Sequence, residues 1–168
     1  MVLGDGPLNG VAAWRAASML ARTARVPATS GELPDAASQI VACFGGKFTA
    51  GGGRGAGVRQ SAPDVFADPF LDGPAQPRLG LLLLRDVPPE TFTKERADAE
   101  ALTDAVLQTA HEAGVRVCTV VAEPGHPLVR LAGQIAQTDF AATYLAIGLG
   151  LDPAVSPHVA DLWDRTRR

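Results

Sequence analysis

The sequence predicts one α/β domain spanning 1–168, with a mainly parallel sheet flanked by helices in three layers. Three observations carry this expectation. Residues 79–84, which include Leu81-Leu82-Leu83-Leu84, form an apolar run of strand length without polar alternation, as in strands covered on both faces. Residues 115–121, Val-Arg-Val-Cys-Thr-Val-Val, form a second such run rich in β-branched residues. One long helical pattern lies between them with tight turns, so the two strands should run parallel through a right-handed crossover.

The remaining elements follow in order. Residues 1–3 read as a very short first strand, which looks cut, as though the natural chain began further upstream. Residues 11–24 are alanine-rich, carry Trp14, Met19 and Leu20, and contain no glycine or proline. They predict a helix entered through Gly10 and finished before Pro27. Residues 26–32, with Pro27 and Ser30, read as loop. A shorter helix is expected from Pro34 or Asp35 to Cys43, stopped by Gly45-Gly46. Between about 45 and 78 the composition turns glycine-rich, with scattered Pro, Asp and Gln and no period, which predicts a flexible insertion. After the strand at 79–84, Pro88-Pro89 breaks the chain and Thr93 caps a long helix. Its stripe is Ala99, Leu102, Val106, Ala110 and Ala113, and Gly114 closes it. A further helix is predicted over 127–148, apolar at Leu128, Leu131, Ile135, Ala142, Leu145 and Leu149, and ended by Gly150 and Pro153. A last one over 157–165 carries Val159, Leu162 and Trp163.

Composition excludes several classes of function. The chain is 46% hydrophobic and 20% charged, which rules out a disordered polyelectrolyte. A formal charge of −3 gives no global attraction to nucleic acid, and the arginines closing the chain, Arg165, Arg167 and Arg168, read as a solvated tail. Residues 128–151 are interrupted by Arg130, Gln134, Gln137 and Asp139, against a membrane span. Cys43 and Cys118 read as buried thiols in a reducing compartment, and no secretory leader opens the chain, so a cytoplasmic location is expected. His111, His126 and His158 lack metal-ligand spacing, so neither a metal nor a cofactor is expected.

Gly4-Asp5-Gly6-Pro7-Leu8-Asn9-Gly10 spells G-x-G-x-x-x-G between a strand and a helix, where a dinucleotide fingerprint would fall. Without a second strand ending in an acidic residue, a tight turn is the better reading. A nucleotide-binding flavodoxin-like module would rest on this turn alone. The glycine run from Gly51 to Gly57 lacks the Gly-Lys-Ser/Thr ending of a phosphate loop.

Two blocks carry a resemblance to a known family. One is Ala21-Arg22-Thr23-Ala24-Arg25-Val26-Pro27-Ala28 with Glu32-Leu33-Pro34-Asp35 and Ser38-Gln39-Ile40-Val41. The other is Asp139-Phe140-Ala141-Ala142-Thr143-Tyr144-Leu145-Ala146 with Gly150-Leu151-Asp152-Pro153. Together they resemble the C-terminal sugar isomerase (SIS) domain of bacterial bifunctional phosphoglucose/phosphomannose isomerases. The resemblance implies an SIS-type, flavodoxin-like fold and the interconversion of aldose and ketose phosphates by a glutamate, assisted by histidine and lysine. Here Arg22 stands at the glutamate's position. With a one-residue gap, Ala36-Ala37-Ser38-Gln39 replaces the family's Asn-His-Asn-Glu, and the expected lysine falls near Trp163. None of Arg22, Ala37 or Gln39 can accept a proton at neutral pH.

The resemblance therefore implies a degenerate SIS domain that binds a sugar phosphate or assembles with a partner and does not catalyse on its own. Arg22, Ser38, Gln39 and His158 are the expected substrate-binding positions. The partner is expected to be a second copy in a homodimer or an upstream SIS domain. The alternative is one part of an active isomerase completed by an N-terminal SIS domain.

Overall fold

The computed structural model of the chain describes residues 1–46, 48–49, 78–86 and 93–167. Among these, four strands form one sheet in the order β2-β1-β3-β4, and every adjacent pair is parallel. The strands are β1 (Val2–Asp5), β2 (Ser30–Leu33), β3 (Gly80–Arg85) and β4 (Arg116–Val121). The helices are α1 (Pro7–Arg22), α2 (Ala37–Cys43), α3 (Lys94–Glu112), α4 (Pro127–Gly148) and α5 (Pro157–Thr166). The α/β class and its parallel βαβ unit are as the sequence predicts.

Alternation along the strands divides the core in two. Leu3, Leu33, Leu81 and Leu83 pack with Ala37, Ile40 and Phe44 at α2 and with Val106 and Ala110 of α3. On the other face, Val2 and Leu84 pack with Ala12, Ala13, Ala16 and Ala17 of α1, joined by half-buried Leu131 and Ile135 of α4. Alanine along the buried side of α1 lets that helix lie close on the sheet. Burial of these side chains drives the assembly at about 25 cal/mol per Å² of apolar surface.

Local chemistry sets the helix ends. The Thr93 hydroxyl accepts from the Arg96 N–H at 3.3 Å, capping α3. Gly114 takes φ 71° just past its end, a conformation that favours glycine. The α3 stripe is buried at Val106 and Ala110 and half-buried at Ala99, Leu102 and Ala113, with Thr103 adding a buried polar position.

Several expectations are corrected. α1 starts at Pro7 rather than at residue 11, because the proline occupies a first-turn position that needs no N–H donor. α2 starts at Ala37, two or three residues later than expected. Residues 30–32, read as part of a loop, belong to a strand that continues to Leu33. β2 lies at the sheet edge, where one buried residue, Leu33, suffices to hold it, and Gly31 lets it sit close to its neighbours. A Cβ at residue 31 would lie 2.5 Å from the Ala36 Cβ and 3.1 Å from Leu3 Cδ2. β4 is not covered on both faces. It is the opposite edge of the described sheet, with Cys118, Thr119 and Val121 exposed and only Val117 and Val120 half-buried. Both cysteines are accordingly exposed rather than buried, Cys43 at the last position of α2 and Cys118 on this edge. Most of the glycine-rich insertion expected at 45–78, and the Pro88-Pro89 break, lie outside the described residues.

Candidate functional site

The chain leaves β1 to form β2 on one side and later returns to form β3 on the other. The carboxyl ends of β1 and β3 therefore flank a topological switch point, where parallel α/β sheets place their ligand crevices. Asp5 ends β1 and Arg85-Asp86 ends β3.

Asp5 is 4% exposed. A buried carboxylate is costly unless it is paired, and two arginines meet it. Its Oδ2 lies 3.6 Å from Arg85 Nε and 3.4 Å from Arg96 Nη2. Arg85 Nη1 also lies 3.5 Å from Asp104 Oδ1, and Arg96 Nε lies 3.7 Å from Glu100 Oε1. Five charges thus alternate in sign from Glu100 through Arg96, Asp5 and Arg85 to Asp104. Beside them Arg130 Nη1 donates to Asp86 Oδ1 at 2.5 Å.

Two amides complete this edge. Asn9 Nδ2 donates to the Asp5 carbonyl at 2.8 Å, and Gln134 Nε2 donates to the Arg85 carbonyl at 2.9 Å. Both side chains are buried, and Asn9 Oδ1 and Gln134 Oε1 have no hydrogen-bond partner among the described residues. Gly4 and Gly10 of the G-x-G-x-x-x-G turn serve packing. A Cβ on Gly4 would fall 2.1 Å from the Asn9 carbonyl carbon, so only glycine lets the first turn of α1 lie on β1. At Gly10 a Cβ would meet the Glu32 side chain at 2.6 Å. Glu32 thus carries its carboxylate against the first turn of α1, where the helix dipole favours an anion.

The expected substrate positions lie elsewhere. Arg22 is the last residue of α1 and is exposed; α1 runs back from the carboxyl end of β1, so Arg22 stands at the amino end of the sheet. Ser38 and Gln39 are adjacent, exposed residues in the first turn of α2, on the opposite face of the sheet from α1. His158 is exposed in the first turn of α5. Arg25 Nη2 donates to the carbonyls of Asp152 at 3.3 Å and Val155 at 2.6 Å, which draws the start of α5 toward the end of α1. The fold therefore brings the Arg22 and His158 segments toward one another and keeps Ser38-Gln39 on the other face. Trp163, near the expected lysine, is exposed on α5.

Sequence reasoning missed Asp5, Asn9, Arg85, Arg96 and Gln134. A signal existed for two of them, since Asp5 and Arg85 stand where apolar strand runs end in charge. Among the described residues no three His, Cys, Asp or Glu side chains group to hold a metal ion, and no helix is long and apolar enough to cross a membrane.

A four-stranded parallel sheet with helices on both faces and a buried ion-pair network at its switch point make a three-layer α/β domain. The chain belongs to the family described as the bacterial phosphoglucose isomerase C-terminal SIS domain, whose model matches residues 1–165. Among solved structures it is similar to a glucose-6-phosphate isomerase-like protein from Thermus thermophilus, at 15% identity and a TM-score of 0.49. The match covers 91% of this chain and 38% of that one. No curated protein matches the chain in sequence.

Proposed function

We propose that the chain is a degenerate SIS domain that takes part in sugar-phosphate binding or assembly and performs no aldose-ketose isomerisation on its own. The observation that carries this reading is family membership over 1–165, read together with Arg22, which the resemblance aligns with the family's catalytic glutamate. A guanidinium cannot take a proton from a sugar carbon, but it can hold a phosphate. Arg22, Ser38, Gln39 and His158 are all exposed, which suits a binding surface completed by another domain. Because α1 and α2 lie on opposite faces, a sugar phosphate would meet these residues in two groups.

The partner in this reading is a second SIS domain, either a further copy of the chain or an upstream half of a longer protein. Support comes from the outward side of α4, where Val129, Phe140, Tyr144 and Ile147 are exposed, and from Leu162 and Trp163 on α5. Large apolar side chains exposed in this number favour an interaction site. The two exposed cysteines suit the reducing cytoplasm, where this function would be carried out.

A coupled assay of the purified chain with glucose 6-phosphate and fructose 6-phosphate tests the proposal. No turnover above background is expected. Turnover that survives purification, and falls in the Arg22→Ala variant, would overturn it. Activity appearing only on mixing with a separately produced N-terminal SIS domain would favour the alternative of a two-part isomerase.

A further inference from the structure

We propose that the cleft at the amino ends of β3 and β4 is a second anion site, separate from the surface above, that takes a phosphorylated small molecule. The cleft has a volume of about 730 Å³ and is bordered by Arg78, Gly80, His111, Val115 and Arg116. That lies in the range of roughly 300–1,000 Å³ typical of ligand pockets. Buried Val115 forms part of its floor, and Arg116 pairs in register with Gly80, whose missing side chain keeps the cleft open.

The charge distribution carries the inference. Five other arginines, Arg15, Arg85, Arg96, Arg130 and Arg165, sit within 4 Å of carboxylates. Arg78 and Arg116 have no carboxylate, carbonyl or other polar partner among the described residues, and neither has His111. Two guanidiniums without a carboxylate partner among the described residues, and an imidazole, thus border one cleft. Their attraction is not spent on the negative end of α3 either. The Thr109, Ala110 and His111 carbonyls already accept from the N–H groups of Ala113, Val115 and Gly114. The acidic neighbour, Glu112, accepts from Gln108 Nε2 at 2.9 Å on the outer side of α3. Guanidinium pairs suit a phosphoryl group in particular, because each offers parallel N–H donors to its oxygens.

Calorimetric titration of the full chain with inorganic pyrophosphate is the test. Saturable binding is expected, with Arg78→Gln and Arg116→Gln each raising Kd about tenfold or more, as loss of a charge-assisted hydrogen bond implies. Arg165→Gln, at an arginine already paired with Asp161, should leave Kd unchanged, which ties the loss to the cleft arginines. Modification by phenylglyoxal supplies a readout on the unmutated chain: pyrophosphate should protect Arg78 and Arg116 and not Arg165. No saturable binding, equal affinity in the Arg78 and Arg116 variants, or protection confined to Arg22 would each overturn the proposal.

Discussion

Asn9 and Gln134 perform the same task on neighbouring strands: each turns a buried side-chain amide onto the last carbonyl of a strand, Asn9 on Asp5 and Gln134 on Arg85. The two carbonyls end β1 and β3, which pair directly. Helices α1 and α4 are thereby tied to the carboxyl edge of the sheet by hydrogen bonds as well as by apolar packing. Replacing Gln134 with Met keeps most of the volume and removes one of two donors to the Arg85 carbonyl, which still accepts from the Ala122 N–H at 2.9 Å. The expected loss is about 1 kcal/mol, that of a single hydrogen bond, because the carbonyl keeps its other donor and the unpartnered Oε1 is removed as well. Urea unfolding measures it, and an unchanged midpoint would show that the bond contributes nothing.

Asp5→Asn should cost more. It leaves Arg85 and Arg96 facing a neutral amide in a site where the carboxylate was 4% exposed. Breaking a fully buried pair costs about 3–5 kcal/mol. The two arginine side chains remain 23% and 26% exposed and are partly hydrated, so about 2–3 kcal/mol is expected here. Combining Asp5→Asn with Arg96→Gln should recover part of the loss, and simple additivity of the two would contradict the network.

The start of α3 predicts a pH effect. The Glu95 carboxyl is held below its ordinary range first by a hydrogen bond from its own backbone N–H and then by the Thr93 hydroxyl. A depressed folded-state value means the group stabilises the fold above the unfolded carboxylate range, and that contribution is lost as the pH falls through the folded value. Glu95→Gln should therefore lower stability near neutrality and flatten its decline on acidification. Thermal melts across the acidic range follow this, and parallel curves for both proteins would refute it.

Self-association is expected through α4. Phe140 and Tyr144 stack with ring centroids 6.4 Å apart while remaining 62% and 69% exposed. The charged residues of this helix, Arg130 and Asp139, are engaged with Asp86 and Arg15 instead of facing outward. Phe140→Asp would place a charge in the middle of this apolar surface. In sedimentation equilibrium at micromolar concentration the unaltered chain should exceed 17.4 kDa and the variant should not. A 17.4 kDa species for both would mean that no second copy covers the surface.

The parts of the fold visible in the sequence were those with strong local signals. The leucine run of β3, the Thr93 cap and the Gly114 stop mark their elements without help from the rest of the chain. β2 was invisible because Ser30-Gly31-Glu32-Leu33 offers one buried apolar residue, and the strand exists through pairing with β1. β4 was misjudged for the opposite reason. Its β-branched composition suits an interior strand, but its position at the described edge comes from topology, which composition does not encode. The ion-pair chain around Asp5 joins β1, β3 and α3, partners separated by most of the sequence. No spacing rule anticipates such a meeting. The family was by contrast legible, because the blocks that carry the resemblance are contiguous in the sequence.

The contact at Gly4 limits how this protein can vary. Since a single methyl there would overlap the backbone of Asn9, and backbone cannot swing aside as a side-chain tip can, position 4 should tolerate no substitution at all. A saturation library selected only for folded protein, with no ligand present, should return glycine alone at that codon. Gly6, whose φ of 85° strains other residues but whose Cβ position is open, should return a short list including asparagine. Invariance of such a glycine across related chains would then report the closeness of a helix to its strand, and would say nothing about a nucleotide.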